Sequence, residues 1–319
     1  AFQAVQKLYD LSRGQDPRPW CLTVSFTHPH DPFVARRKYW DLYEGAPECE
    51  PPEGLAYEDM DPHSKRLMDA CDWRGMEITP DHIRRAKQAY FANISYIDDK
   101  IGEILAVLEA TRQEAQIVFL SDHGEMLGEH GLWFKMTFFE GASRVPLMIA
   151  APDMPAGRVD TPVSSIDLTP TLAALAGISM EEVAPWTEGV NLIPVANGAP
   201  RTPVAMEYAA EGTITPMVSL REGAWKYIRC PADPEMLFDV ANDPGERENL
   251  AQDPRVAEIL THFRALADAR WDLPAYDAAV RESQARRWVV YEALRNGAYF
   301  PWDHQPLRAA SERYMRNHM

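Results

Sequence analysis

The chain has 319 residues, which suits one large domain with a smaller appendage rather than three separate cores. It carries 32 basic and 48 acidic residues, a net charge of −16, so it lacks the basic excess that nucleic-acid or anionic-membrane partners require. No apolar run is long enough to span a bilayer. Cys21, Cys49, Cys71 and Cys230 show neither C-x-x-C nor zinc-ligand spacing, so they are expected to be reduced thiols of a cytoplasmic protein.

In chain order, WCLTVSF at 20–26 is a short apolar run predicted to be a buried strand. It feeds a Pro-rich loop, THPHDPF at 27–33, that carries His28 and His30. Residues 34–78 have no clear period and read as loop with short helical pieces. Thr79-Pro80-Asp81 has the form of an N-cap followed by Pro in the first turn. A helix should run from there to about Glu109, with Phe91, Ile94, Ile97, Ile101, Leu105 and Leu108 forming one apolar stripe. Asp99, Lys100 and Glu103 would be its solvated face.

QIVFL at 116–120 and VPLMIA at 145–150 are strand candidates, and SSIDLTP at 164–170 opens a helix capped by Asp167 or Thr169. Strand, loop, helix in alternation predicts an α/β domain with a mostly parallel sheet flanked by helices. After residue 200 the pattern changes. Val204–Tyr208, Met217–Leu220 and Ala224–Arg229, the last two joined across Glu222-Gly223, predict a smaller antiparallel sheet, with a helix near 254–270 packed on it. Residues 276–296 read as a further helix, followed by an irregular tail. The expected organisation is 1–200 as the α/β domain, 201–270 as the sheet-and-helix subdomain and 271–319 as a helical tail.

The stretch SDHGEMLGEHG at 121–131 places five ionisable groups directly after a strand. In open α/β sheets ligands bind at the carboxyl ends of strands, and Gly124 permits a sharp turn there. Asp122 could offer an oxygen and His123 a nitrogen to a divalent cation. Asp122 could equally cap the turn. Lys135, set among aromatics in LWFK, is either snorkelling to water or a fixed positive charge for an anionic group. Glu140 and Arg144 have the spacing of a structural i, i+4 pair.

The segment FLSDHGEMLGEHGLWFKMTFFEGASRVPLMIAAP at 119–152 resembles the second signature region of the sulfatases, in the alkaline-phosphatase-like superfamily. SFTHPHDPF at 25–33, VSSIDLTPTLAALAG at 163–177 and EMLFDVANDPGERENLA at 235–251 resemble further sulfatase segments, in family order. The wording around Lys135 and the tail PWDHQPLRAASERYMRNHM at 301–319 are most like the choline sulfatases. The resemblance implies that Asp122 and His123 complete a calcium or other divalent-metal site and that Lys135 contacts sulfate. It implies that His30 contacts sulfate or protonates the leaving oxygen, with His28 a second candidate. It also implies Glu211, Trp302 and Asp303 as contacts to the substrate, expected to be choline-O-sulfate, with the tail reaching a neighbouring subunit of a homo-oligomer.

Sulfatases use formylglycine, formed from Cys or Ser in C-x-P-x-R or S-x-P-x-R, together with an upstream pair of Asp. Neither motif occurs here. The chain is therefore expected to be the later portion of a sulfuric ester hydrolase, inactive by itself. The alternatives are another hydrolase of the superfamily (aryl sulfatase, phosphonate or phosphodiester hydrolase) or a non-catalytic interaction protein descended from a sulfatase.

Overall fold

The structure, a computed structural model, describes residues 1–297 apart from 15 and 17. Two compact units divide the chain at Ala267/Asp268.

The first unit opens with α1 (Phe2–Arg13), which buries Ala4 and Leu8. Leu8 O accepts a hydrogen bond from Gln113 Nε2 (3.2 Å). Residues 20–26, expected as a strand, are not in one. Their exposure alternates as a strand's would, but no strand pairs with them among the described residues. The apolar run supplies the pleat, and the ladder is missing. The short α2 (Arg37–Trp40) and α3 (Pro62–Ala70) lie in the 34–78 stretch as anticipated, and Asp61 caps α3 through the His63 and Ser64 amides.

The long α4 (Pro80–Thr111) starts as predicted. Thr79 caps it, Pro80 opens its first turn, and Arg112 ends it in a left-handed conformation (φ 52°). Its buried seam runs through Gln88, Ala89, Ala92 and Asn93, whereas Ile94 and Leu105 of the expected stripe stay exposed. Small residues let neighbouring chain approach closely on that seam. Tyr39 and Lys38 meet Asp99 at 2.7 and 2.9 Å, so that carboxylate is paired rather than simply solvated.

Next come β1 (Ile117–Leu120), β2 (Met126–Leu127), β3 (Trp133–Phe134), the single-turn α5 (Glu140–Ser143) and β4 (Leu147–Ala150). β1 pairs with β4 antiparallel, Ile117 opposite Ala150 and Leu120 opposite Leu147, which corrects the expectation of parallel neighbours for this pair. Parallel neighbours need a crossover long enough to bring the chain back to the same end of the sheet, usually a helix. The connection here is a β2–β3 hairpin (Met126 opposite Phe134) and one helical turn, so the chain returns in the opposite sense.

A 3-10 turn leads into α6 (Leu168–Leu175), followed by the short α7 (Met180–Val183) and α8 (Leu192–Ala196). Asp167 closes the turn by accepting from the Ser164 amide at 2.8 Å. It is fully buried against the Arg201 guanidinium at 2.9 Å.

β5 (Val204–Tyr208), β6 (Met217–Glu222), β7 (Trp225–Arg229) and β8 (Met236–Asp239) form the antiparallel sheet in sequential order. Its β6–β7 turn uses Gly223 at φ 52°, a left-handed position glycine adopts without cost. β8 was not anticipated as a strand. α9 (Ala257–Arg270) covers the sheet, with Phe263 stacked on Tyr227 at 5.9 Å between ring centres.

The second unit contains α10 (Leu273–Arg295), capped by Asp272 and close to the predicted span. No described helix is long and apolar enough to cross a membrane.

Candidate active site

The loop after β1 is built by its own hydrogen bonds. Ser121 Oγ donates to His123 O at 2.8 Å, and the His123 amide donates to Asp122 Oδ1 at 3.0 Å. His123 Nδ1 donates to Gly124 O at 2.8 Å, which fixes the tautomer and leaves the Nε2 lone pair facing Asp122 Oδ2 at 3.5 Å. The loop is then fastened to α5, because the Gly124 and Glu125 amides donate to Ala142 O and Gly141 O, both at 2.7 Å. A Cβ on residue 124 would run into the Gly141 carbonyl oxygen, so the close approach of loop and helix requires glycine there.

Lys135 follows Phe134, whose backbone is left-handed (φ 68°) and whose ring packs against Trp73 and Phe33. Lys135 Nζ lies 3.3 Å from His30 Nε2 across 105 residues of sequence. His30 Nδ1 in turn lies 2.7 Å from Asp31 O and 3.1 Å from Asp31 Oδ1. Nδ1–H therefore donates to Asp31, and Nε2 accepts from the ammonium.

Glu125 joins this group. Burial, and then the nearby charge of Asp31, push its carboxyl up to about 7, and Lys135 opposes the shift. Sequence reasoning passed over Glu125 in favour of Asp122. Its signal was its place one turn after the strand end, among residues that come back to meet the THPHDPF loop. Asp122, His123, Lys135 and Tyr208 line one open cleft of about 1800 Å³.

The remaining sequence candidates are placed as follows. His28 points to Tyr96 of α4, ring edge to ring face at 5.5 Å, rather than to Lys135. Glu211 is exposed and accepts from Tyr208 Oη at 3.2 Å, so it reaches the cleft through Tyr208. Trp302 and Asp303 lie outside the described residues. Glu140 does not pair with Arg144 as expected. Its carboxylate meets Lys226 Nζ at 2.6 Å, because α5 is too short to bring an i, i+4 partner over the same face. None of the four cysteines is in a disulfide.

Asp122 Oδ2 and His123 Nε2, 3.5 Å apart, offer a carboxylate oxygen and an imidazole nitrogen, a donor set that fits a divalent cation. Among the described residues, no group of three or more His, Cys, Asp or Glu gathers in metal-binding positions.

Comparison with known proteins gives this site a lineage. The family model described as Sulfatase matches residues 3–178. The chain belongs to the sulfatase family. Residues 128–270 match the C-terminal model of N-sulphoglucosamine sulphohydrolase, and 278–319 match "Choline sulfatase enzyme C terminal". The chain is 61% identical to the choline-sulfatase of Rhizobium meliloti (strain 1021) over its whole length, which is 64% of that protein. It is 31% identical to the uncharacterized sulfatase YidJ of Escherichia coli (strain K12), covering 81% of this chain and 51% of that one. The chain thus spans about half to two thirds of the length of these curated relatives. Among solved structures, the phosphonate monoester hydrolase of Silicibacter pomeroyi superimposes with a TM-score of 0.68 at 25% identity, over 93% of this chain and 60% of that one. The phosphonate monoester hydrolase of Agrobacterium radiobacter gives 0.67 at 24% identity, over 83% of this chain and 58% of that one. These neighbours share the alkaline-phosphatase-like fold expected from the sequence.

Proposed function

We propose that this chain is the later portion of a sulfuric ester hydrolase acting on a small-molecule sulfate ester, choline-O-sulfate. The observation that carries the reading is the Lys135–His30 contact at 3.3 Å, with Lys135 lining the same cleft as Asp122 and His123. The 61% identity to a choline-sulfatase supports the substrate.

An incoming sulfate monoester takes over the N–H donors that Lys135 now directs at His30, and the ammonium neutralises charge on the sulfuryl oxygens. Once the ammonium has turned to the sulfate, His30 takes a proton from solvent at Nε2, keeps Nδ1–H on Asp31, and passes the Nε2 proton to the departing alkoxide, whose charge grows as the S–O bond breaks. Asp122 and His123 would hold a divalent cation, calcium by family likeness, which when bound polarises a sulfuryl oxygen. The remaining ligands and the formylglycine nucleophile would come from polypeptide outside this sequence, so the 319 residues alone should not turn over substrate. Glu211, oriented by Tyr208, is the proposed partner of the choline ammonium, with Trp302 and Asp303 as further contacts. His28 is retained as a secondary candidate only. A cytoplasmic setting and a homo-oligomer complete this proposal.

A second reading, a phosphonate monoester hydrolase, draws on the fold likeness to two such enzymes. The test is to assay the complete polypeptide on choline-O-sulfate, an aryl sulfate and a phosphonate monoester. The first should be preferred, and Lys135→Ala should lower its kcat by about 10²–10³. Preference for the phosphonate, or an unaffected Lys135→Ala, rejects the proposal.

A further inference from the structure

Lys226 is the second residue of β7 and is fully buried. Its ammonium is matched on three sides, by Glu140 Oε1 at 2.6 Å, Glu246 Oε1 at 2.9 Å and Phe138 O at 2.8 Å. Glu246 reaches further. Its Oε2 accepts from the Glu140 amide at 2.5 Å, and its backbone is held left-handed at φ 52°. The Phe138 carbonyl and the Glu140 amide and carboxylate are thus gripped from the C-terminal sheet. They bracket the start of α5, three to five residues after Lys135. The next two residues of α5 supply the carbonyls, Gly141 O and Ala142 O, on which the Asp122–His123 loop hangs. A buried charge left without its partners is costly, so this cluster holds one arrangement rather than several.

We propose that Lys226 is a positioning residue. Through Glu140 and Glu246 it fixes the 135–143 segment, and with it both Lys135 and the Asp122–His123 loop. Its bearing on catalysis rests on the function proposed above, but its structural action does not, so the two can fail separately.

The test is amide hydrogen exchange in the 319-residue chain, comparing a peptide spanning 121–127 with peptides from β5 and α9. In Lys226→Met, exchange at Gly124 and Glu125 should rise at least about tenfold, while the β5 and α9 peptides keep their protection. Unchanged exchange at 121–127, or an equal rise in all three peptides, overturns the proposal. Should Lys226→Met not fold, Glu246→Gln decides. It keeps an acceptor for the Glu140 amide and weakens only the charge pairing, so a smaller rise confined to 121–127 supports the clamp and no rise rejects it. In the complete polypeptide, Lys226→Met should lower kcat with little change in KM. A change confined to KM would count against positioning of Lys135.

Discussion

Two of the three sheets described in the first unit, β5–β8 and the β1/β4 pair, are opposites. In β5–β8 both faces are covered, and Val218, Tyr227 and Leu237 have no exposed surface at all. In the β1/β4 pair no residue is fully buried, and Leu120 is 38% and Met148 60% exposed. The first sheet is complete within this chain, with α9 as its lid. The second is a pair of strands whose apolar side chains still meet solvent. The candidate reacting groups sit at the end of the uncovered sheet, and the covered one braces them from behind through Lys226. The stability of this chain should therefore reside mainly in the covered sheet.

That contrast can be broken in four ways, in order of expected effect. Asp167→Ala removes the buried partner of Arg201, which joins the start of α6 to the approach to β5, and should cost about 3–5 kcal/mol in urea denaturation. Leu237→Ala in the covered sheet should cost about 2–5 kcal/mol, whereas Met148→Ala in the open one should stay within about 0.5 kcal/mol. Equal losses would show that the two sheets are held alike. His130 provides a pH test. Its ring stacks on Phe139 at 4.0 Å, and burial holds its pKa below the usual histidine value. A depressed histidine favours the neutral folded form, so its stabilisation is present above the ordinary value near 6.5 and is lost as pH falls below it. His130→Gln should flatten the decline in melting temperature between about pH 7 and pH 5. The smallest effect on folding is expected from Met148→Lys. It should leave the melting temperature within a degree or two and reduce self-association in sedimentation, because a charge on an exposed strand discourages sheet-to-sheet contact.

Much of this was legible from residues alone, for identifiable reasons. α4 announced itself through Thr79 and Pro80 and a sustained period, and β5–β7 through alternation broken by Gly223. The Asp122–His123 loop stood out because ionisable side chains crowd a strand end. What stayed hidden depends on neighbours distant in sequence. An apolar run such as 20–26 or 147–150 specifies a pleat but neither its partner nor the direction of pairing. Lys226, inside WKYIR, reads as an outward-facing strand residue. Only the return of Glu140 and Glu246 from 86 residues before and 20 after makes its burial affordable. The same blindness applied to Glu125, whose environment is made by a loop nearly a hundred residues earlier.

Phe134 carries one more implication. A bulky residue with a left-handed backbone is under local strain, of order 1 kcal/mol or more, and it persists because its ring is locked among Trp73 and Phe33. Glycine at that position would relax the main chain and at the same time empty the aromatic nest, freeing the neighbouring ammonium to wander. Evolution toward greater robustness and evolution toward sharper aim would therefore pull this single position in opposite directions.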